Sequence, residues 1–477
     1  MHYKGLISSL IVLLIVFISV ISGPGCANIV PPEGGPRDTI PPVLLKVSPG
    51  DSSRNFTGKT IVFTFDEFID VQNIQENLLI SPLPKVNPSV DFKLKTVTVR
   101  IKDSLEANTT YSFDFGKAVK DFTEGNPVRD LSYTFSTGSN FDSLELQGNV
   151  LLAENGKIDT TLIVMLHTNS NDSAVVTSKP RYIAKLDSKG NFRFKNLPAK
   201  TFYIYALKDE GGYRYNSDKQ LFAFADKPVT IESKTAPVTL YAFAARPATT
   251  TAPTTTASLN IGNRGRRLTT ETDDKRLKYK TSITGNQQDL LTKFFMTFEQ
   301  PLRSFDTSKI RLYTDSTYDR VAAYQFKKDS TNRKIVLDVE WKENTLYHII
   351  LDKDFADDSL GKKLLKTDTL SFRTKKLGEY GSLKIKFRNL QIDKNPVLLF
   401  MQGETLYQSY PLTGPDFSQQ LFLPGEFELR ILSDRNKNGK WDPGEFFGKH
   451  IQPEIVKPVE RKISVKAAWQ NEFEIAL

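Results

Sequence analysis

Residues 59–67 have the sequence KTIVFTFDE, in which Ile61, Phe63 and Phe65 fall on alternate positions. A period of two places alternate side chains on opposite faces of a strand, so this stretch predicts a half-buried β-strand. The same alternation occurs in TYSFDF at 110–115, KIKFR at 384–388 and FEIAL at 473–477. No window combines an amphipathic helical pattern with capping signals. The sequence therefore predicts an all-β fold of tandem β-sandwiches.

The same stretch occurs a second time, in an ordered series of repeats. Residues 292–300 (TKFFMTFEQ) repeat the pattern of 59–67. In the same order and at similar spacing, KENTLY at 342–347 repeats EANTTY at 106–111, and DTLSFRT at 368–374 repeats LSYTFST at 131–137. This duplication predicts two copies of one domain, at residues 40–137 and 276–375.

A different repeated pattern follows each copy. The sequence FRFKNLP at 192–198 precedes the alternating stretch YIYALKD at 203–209, and FSQQL at 417–421 precedes LPGEFELRILSD at 423–434. We expect a further β-sandwich at residues 143–245 and again at 380–477, so that a pair of domains is duplicated. Between the pairs, residues 246–275 contain TTTAPTTT, a low-complexity composition that predicts a linker.

The N-terminal region carries a targeting signal. An apolar run from Leu6 to Ile21 follows Lys4 and leads into Gly25 and Cys26, the only cysteine of 477 residues. This arrangement resembles a lipoprotein signal peptide at residues 1–25, which implies that Cys26 carries an N-terminal lipid. The alternative is an uncleaved signal anchor, but the run is shorter than the roughly 20 apolar residues that span a bilayer. Residues 26–39, rich in Pro and Gly, are predicted to be a tether.

Three resemblances to known families follow from these motifs. The sequence Cys26-Ala27-Asn28 together with GGPRDTIPP at 34–42 resembles the start of Bacteroidota outer-membrane lipoproteins. The duplicated first domain is similar to S-layer-type (SbsA-type) bacterial Ig-like domains, and the second to transthyretin-like or Cna-B-like sandwiches. The resemblance implies lipid anchoring at the outer membrane and leaves open whether the chain faces the periplasm or the cell surface.

One loop has the spacing of a calcium site. Residues 434–445 (DRNKNGKWDPGE) place oxygen ligands at loop positions 1, 3, 5, 9 and 12, with Gly439 at the turn and a backbone carbonyl available at position 7. The alternative is an Asx-rich turn that closes on its own hydrogen bonds, with Trp441 packed on the sandwich. The corresponding loop after Asp209 lacks the spacing and is predicted to be empty. The predicted Ca²⁺ ligands are Asp434, Asn436, Asn438, Lys440, Asp442 and Glu445.

Signatures of catalysis are absent from the sequence. The four histidines, at positions 2, 167, 348 and 450, have no partner at metal-ligand spacing. The acidic pairs Asp66-Glu67 and Asp357-Asp358 are adjacent residues that point to opposite faces of a strand, so we interpret both pairs as solvated turns. The sequence predicts no enzyme.

The formal net charge of +9 raises the question of an anionic partner. A basic stripe at the start of the second domain pair could meet phospholipid head groups or lipopolysaccharide phosphates, but a solvated basic face explains it better. Its residues are Arg264, Arg266, Arg267, Lys275, Arg276, Lys278 and Lys280. For an envelope protein, no nucleic-acid partner is expected.

Three functions are compatible with this sequence. The first is a binding or scaffolding module for an envelope protein assembly, with a protein partner. The second is a carbohydrate-binding or adhesion module at the cell surface, which would show an exposed aromatic cluster. The third is an unrecognised hydrolase, which would gather carboxylates from two domains into one pocket. The aromatic residues considered for carbohydrate binding are Tyr213, Tyr215, Trp341, Tyr407 and Tyr410.

Overall fold

A computed structural model describes residues 37–245 and 276–477 of the chain. The described residues are almost entirely strands, turns and loops, which confirms the all-β prediction. The chain divides into two compact units, residues 1–142 and 143–477. The predicted signal peptide, Cys26, the tether before Arg37 and the linker at 246–275 lie outside the described residues.

The first sandwich is built from nine strands in the first unit. Its sheets have the orders β1-β2-β6-β5 and β4-β7-β9, and β3 pairs with β8. The strands are β1 (Leu44–Ser48), β2 (Thr60–Phe65), β3 (Ile69–Val71), β4 (Leu79–Ser81), β5 (Ser89–Lys93), β6 (Thr96–Arg100), β7 (Thr110–Asp114), β8 (Val119–Asp121) and β9 (Ser132–Ser136), with the one-turn helix α1 (Ile74–Asn77) after β3.

The core of this sandwich follows from the alternation in β2. Ile61, Phe63 and Phe65 are buried there, and β2 pairs antiparallel with β6. The Phe63 ring meets that of Tyr133 in β9 edge-on, with 5.7 Å between ring centres. Burial of three large apolar side chains from one strand contributes about 1.5–3 kcal/mol per side chain.

The second sandwich opens the second unit. Its sheets have the orders β13-β10-β17 and β12-β11-β14-β15, and β16 also pairs with β14. The strands are β10 (Leu144–Leu152), β11 (Leu162–His167), β12 (Tyr182–Lys185), β13 (Asn191–Leu197), β14 (Thr201–Lys208), β15 (Phe222–Phe224), β16 (Val229–Thr230) and β17 (Val238–Ala242), with helix α2 (Ala174–Thr177) between β11 and β12.

The third sandwich repeats the topology of the first. The order β18-β20-β25-β24 corresponds to β1-β2-β6-β5, and β21 pairs with β27 as β3 does with β8. Its other sheet has the order β19-β28-β26-β22-β23. The strands are β18 (Tyr279–Thr281), β19 (Gln287–Gln288), β20 (Phe294–Phe298), β21 (Leu302–Phe305), β22 (Ile310–Thr314), β23 (Asp319–Arg320), β24 (Gln325–Lys328), β25 (Lys334–Asp338), β26 (Leu346–Leu351), β27 (Ala356–Asp358) and β28 (Asp368–Thr374), with a 3₁₀ turn at Thr307–Lys309.

The fourth sandwich repeats the topology of the second. The order β32-β29-β36 corresponds to β13-β10-β17, including a parallel pair between first and last strands, and the other sheet is β31-β30-β33-β34 with β35 on β33. The strands are β29 (Gly381–Arg388), β30 (Pro396–Gln402), β31 (Thr405–Pro411), β32 (Asp416–Phe422), β33 (Gly425–Ser433), β34 (Ile455–Pro458), β35 (Ile463–Val465) and β36 (Gln470–Ala476), with 3₁₀ turns at Leu377–Glu379 and Ile392–Lys394.

Each of the four sandwiches has a hydrophobic core that lies within one of the predicted domain ranges. The fourth sandwich has a further buried cluster, formed by Val397, Leu399, Met401, Leu432 and Val456. Within residues 37–245 and 276–477, no helix has the length and apolar character needed to cross a bilayer.

Candidate functional site

The long connection between β33 and β34 contains the predicted calcium loop. We call residues 434–454 the connecting loop. Asp434, at its start, is buried and accepts the backbone amides of Asn438 (3.3 Å) and Gly439 (2.7 Å). Gly439 has φ +74°, a left-handed conformation that favours glycine, as the loop pattern predicted for its turn position.

The polar residues of the turn close on one another. The side-chain amides of Asn436 and Asn438 both donate to Asp442 Oδ2, at 2.6 and 2.7 Å. The Oδ1 atom of Asn436 accepts the Asn438 amide, and that of Asn438 accepts the Lys440 amide at 2.7 Å. Five of the six predicted ligand residues therefore lie in one compact turn, where hydrogen bonds between them satisfy their polar atoms.

The sixth predicted ligand, Glu445, lies apart from this turn. Its carboxylate pairs with the Lys449 ammonium at 2.9 Å, and its backbone bridges to Ile451. In this structure the Glu445 carboxylate is thus paired with Lys449 and not with the turn. Among the described residues, no group of three or more His, Cys, Asp or Glu side chains has an arrangement that could hold a metal ion. Calcium binding by this loop stays a prediction.

The acidic residue that does enter the turn is Glu454. This buried carboxylate accepts the Arg435 amide (2.8 Å) and the Asp442 amide (3.0 Å). Burial raises its pKa, and the charges of Asp434 and Asp442 raise it further, against the two amide hydrogen bonds. Sequence spacing could not identify Glu454, because it lies beyond the twelve-residue pattern and reaches the turn only when the chain returns to β34.

The second half of the connecting loop contacts the second sandwich. The Phe446 ring is buried against three rings of that sandwich: Tyr205 (5.5 Å between ring centres), Phe222 (5.2 Å) and Phe224 (5.0 Å). His450 stacks on Phe446 at 5.1 Å with an angle of 7° between the ring planes. The loop thus inserts an aromatic side chain from the fourth sandwich into an aromatic cluster on the second.

Polar contacts fix the same loop in place. The His450 Nε2 atom lies 2.8 Å from Asp172 Oδ1, and the Gln452 side-chain amide donates to the Phe224 carbonyl at 2.9 Å. Beside the loop, the Val456 amide donates to the Ala153 carbonyl at 2.8 Å. A Cβ atom at Gly444 would lie 2.7 Å from the Phe243 ring, so glycine is required for this close approach. The connecting loop is an inter-domain clamp.

Other candidate chemical groups have structural roles. Asp357 and Asp358 are buried, which corrects the prediction of a solvated turn. Asp357 is paired with Arg303 and Ser304, because strand β27 carries it against β21. Asp358 accepts the amides of Leu360 and Lys362, so it orders the turn that follows.

The two buried histidines in strands are also packed. His348 Nδ1 lies 2.8 Å from Ser371 Oγ, and its ring stacks on Tyr318 at 4.4 Å. His167 lies edge-on to Tyr205, and burial lowers its pKa to about 4. In the described part of the chain, neither histidine is hydrogen-bonded to a carboxylate, so no acid–base pair forms around them.

The aromatic residues considered for carbohydrate binding do not form one exposed face. Tyr215 packs on Phe222, Trp341 packs on Tyr347 and Phe372, and both Tyr407 and Tyr410 pack on core phenylalanines of the fourth sandwich. All are half-buried and belong to three different sandwiches. These five residues therefore do not form the exposed aromatic cluster that a carbohydrate-binding module would show.

The basic residues at the start of β18 line an open groove of about 910 Å³ in the third sandwich. Lys280 and Lys366 contribute charge there, and Leu364 and Leu365 contribute apolar surface. The Tyr279 hydroxyl donates to Asp368 at 2.6 Å, so one carboxylate of the groove is already engaged. The groove offers mixed contacts to a ligand but no assembled catalytic group.

Comparisons with known proteins agree with the fold. Residues 38–137 match the family model of the bacterial Ig-like domain. No curated protein matches the sequence significantly. The described sandwiches form an all-β chain whose first sandwich matches the bacterial Ig-like domain over residues 38–137.

Several solved structures resemble the chain at low identity. They include the Bacillus anthracis TIE protein (10% identity, 94% of this chain and 76% of that chain, TM-score 0.17) and the N-terminal part of the bacterial S-layer protein SbsC (16%, 43% and 44%, TM-score 0.16). BcpA, the major pilin subunit of Bacillus cereus, is a third (7%, 70% and 99%, TM-score 0.15). These identities and TM-scores are too low to transfer function.

Proposed function

We propose that this protein is a non-enzymatic, lipid-anchored outer-membrane module that binds or scaffolds proteins of an envelope assembly. The observation that carries the proposal is the inter-domain clamp. Phe446 and its neighbours join two sandwiches that are separated in sequence by the whole third sandwich. A clamp of this kind holds two domains in a fixed relation, which suits a scaffold that presents several surfaces at once.

The chemistry of the buried polar groups supports a non-catalytic role. Catalytic groups normally sit in a cleft with a perturbed pKa and a free face toward the substrate. Here Asp357 is held by Arg303 and Ser304, and His348 is held by Ser371 and Tyr318. These groups stabilise strand pairs and turns.

The lipid anchor rests on sequence. A lipid on Cys26, followed by a short tether to Arg37, would hold the first sandwich close to a bilayer. Stable attachment by acyl chains requires more than one chain, as a lipoprotein N-terminus supplies.

Co-purification tests the scaffold function. The tagged full-length protein is extracted from membranes in mild detergent, and retained proteins are quantified against a tagged unrelated lipoprotein. We expect a small set of envelope proteins in near-stoichiometric amounts. The Phe446→Ser variant should lose part of that set, because the buried aromatic contact between its second and fourth sandwiches is removed. Retention of polysaccharide without any stoichiometric protein would contradict the proposal and favour the carbohydrate-binding alternative.

A further inference from the structure

The first sandwich exposes three large apolar side chains on neighbouring segments. Phe68 is 54% exposed, Leu94 64% and Phe122 70%. The Phe122 amide donates to the Phe68 carbonyl, and the Ile69 amide donates to the Leu94 carbonyl, each at 3.0 Å. We call these three residues the apolar patch. Isolated exposed apolar residues are common, but a group of them indicates an interaction surface.

The duplicated third sandwich provides an internal control. There the Ser359 amide donates to the Pro301 carbonyl (2.8 Å) and the Leu302 amide donates to the Asn332 carbonyl (2.7 Å). The same backbone hydrogen bonds therefore occur in both sandwiches. In the third sandwich, Pro301 takes the position of Phe68, Asn332 that of Leu94, and Ser359 that of Phe122. The fold does not require apolar side chains at these three positions.

Leu94 strengthens this comparison. Its φ is +53° and that of Asn332 is +56°. Asn tolerates the left-handed region much better than Leu, because its short polar side chain can form local hydrogen bonds there. Leucine at this position has an unfavourable backbone conformation, which lowers the stability of the fold. Contact of the Leu94 side chain with an apolar partner would offset that cost.

The start of the described chain lies beside the patch. The Arg37 guanidinium donates to the Glu124 carbonyl at 2.9 Å, and the Asn126 side-chain amide donates to the Asp38 carbonyl at 3.0 Å. Glu124 and Asn126 both belong to the loop that begins at Phe122. Cys26 precedes Arg37 by eleven residues, which can span at most about 40 Å. A lipid on Cys26 would thus keep this end of the sandwich near the membrane.

We propose that Phe68, Leu94 and Phe122 form a membrane-contact surface that enters the head-group region of a zwitterionic phospholipid bilayer next to the anchor. This inference rests on the proposed lipid anchoring and names what the anchored domain touches. Exposed Phe and Leu side chains gain free energy by leaving water at such an interface.

The charges around the patch specify the kind of lipid. Asp38, Asp66 and Glu124 lie in the same region, where their charges act together on Glu67. Clustered carboxylates repel an anionic surface, whereas the ammonium groups of phosphatidylethanolamine can meet them. The Lys95 ammonium lies 5.7 Å from the centre of the Phe68 ring and brings one cation to the patch itself.

Vesicle binding tests the proposal independently of the anchor. Residues 26–477 with Cys26→Ser, which carry neither the lipid nor the apolar run from Leu6 to Ile21, are mixed with vesicles containing equal parts of phosphatidylethanolamine and phosphatidylcholine, and the bound fraction is measured by flotation. The test variant adds Leu94→Asn and Phe122→Ser, which are the residues that the third sandwich uses at the same positions. We expect its partition coefficient to fall about tenfold for each side chain removed.

A matched control removes similar apolar surface elsewhere. Leu360 is 66% exposed and Trp469 is 63% exposed, and Leu360→Asn with Trp469→Ser should leave vesicle binding unchanged. Replacing a third of the lipid by phosphatidylglycerol should weaken binding of the Cys26→Ser chain. Equal partition of the test variant and its parent, or no binding of either, would overturn the proposal. A test variant that sediments more slowly than its parent, with the same vesicle partition, would also overturn the proposal. The apolar patch would then be a contact between copies of the chain. Failure of the anchor itself would appear separately, as unchanged membrane fractionation of Cys26→Ser.

Discussion

The centre of the Phe446 ring in the fourth sandwich lies 5.0 Å from the centre of the Phe224 ring in the second sandwich. Phe224 also receives the Gln452 side-chain amide on its backbone carbonyl, so an apolar and a polar contact converge on one residue. Aromatic pairs at this separation contribute about 0.5–1.5 kcal/mol beyond their buried area. An aromatic contact and a hydrogen bond of the clamp thus both involve Phe224.

Phe446→Ala should open this clamp. Removal of a buried Phe side chain costs about 3–5 kcal/mol in a protein core. We expect faster amide hydrogen exchange in β15 and in the connecting loop, with exchange in β29 unchanged because that strand lies in a separate core. Phe447→Ala, at a more exposed ring, is the matched control and should have a smaller effect. Unchanged exchange in β15 of Phe446→Ala would show that the clamp does not hold the two sandwiches.

The second sandwich should lose stability in mild acid through His167. Its pKa is lowered from 6.5 to about 4 because burial disfavours the imidazolium. The unfolded chain binds a proton below about pH 6.5 that the folded chain accepts only near pH 4. The free energy of unfolding therefore falls as the pH drops across this window, by up to about 3 kcal/mol.

Urea unfolding of the wild type and of His167→Leu, each at pH 7 and pH 4.5, measures this contribution. Between pH 7 and pH 4.5, the free energy of unfolding should fall more for the wild type than for His167→Leu. The same difference at both pH values would show that His167 does not titrate as a buried group.

Calcium should stabilise the turn from Asp434 to Asp442 if the loop binds it. An ion that binds only the folded state raises the melting temperature by mass action. We expect millimolar Ca²⁺ to raise the melting temperature of the full chain and the double variant Asp434→Ala, Asp442→Ala to abolish the rise. Mg²⁺, which prefers a tighter octahedral shell, should do little.

The position of Glu445 gives this prediction its control. Because the Glu445 carboxylate is paired with Lys449, Glu445→Gln should leave any calcium response intact. A wild-type melting temperature that does not respond to Ca²⁺ would leave the loop as a hydrogen-bonded turn whose role is to present the clamp.

Local patterns in the sequence predicted the fold well. The alternation of Ile61, Phe63 and Phe65 predicts β2 because strand periodicity is a property of neighbouring residues. The stretches NTTY at 108–111 and FST at 135–137 recur as NTLY at 344–347 and FRT at 372–374, and this repeat predicted a second copy of the first domain. The third sandwich repeats the sheet order of the first.

The same local reasoning could not predict long-range contacts. Asp357 is buried because Arg303 and Ser304, more than fifty residues earlier, reach it across a strand pair. Glu454 enters the turn in place of Glu445 only through the return of the chain to β34. The sequence does not distinguish Phe446 from other apolar loop residues, because its aromatic partners lie more than two hundred residues earlier in the chain.

We propose that a lipid on Cys26 anchors this scaffold to the outer membrane. Fractionation of cells that produce the wild type or Cys26→Ser, with the mass of the mature N-terminus determined for each, tests it directly. We expect a wild-type protein that begins at Cys26, carries acyl chains and sediments with the outer membrane, and a variant that is unprocessed or released. A variant with the same membrane partition and the same N-terminal mass as the wild type, without acyl chains on either, would contradict it.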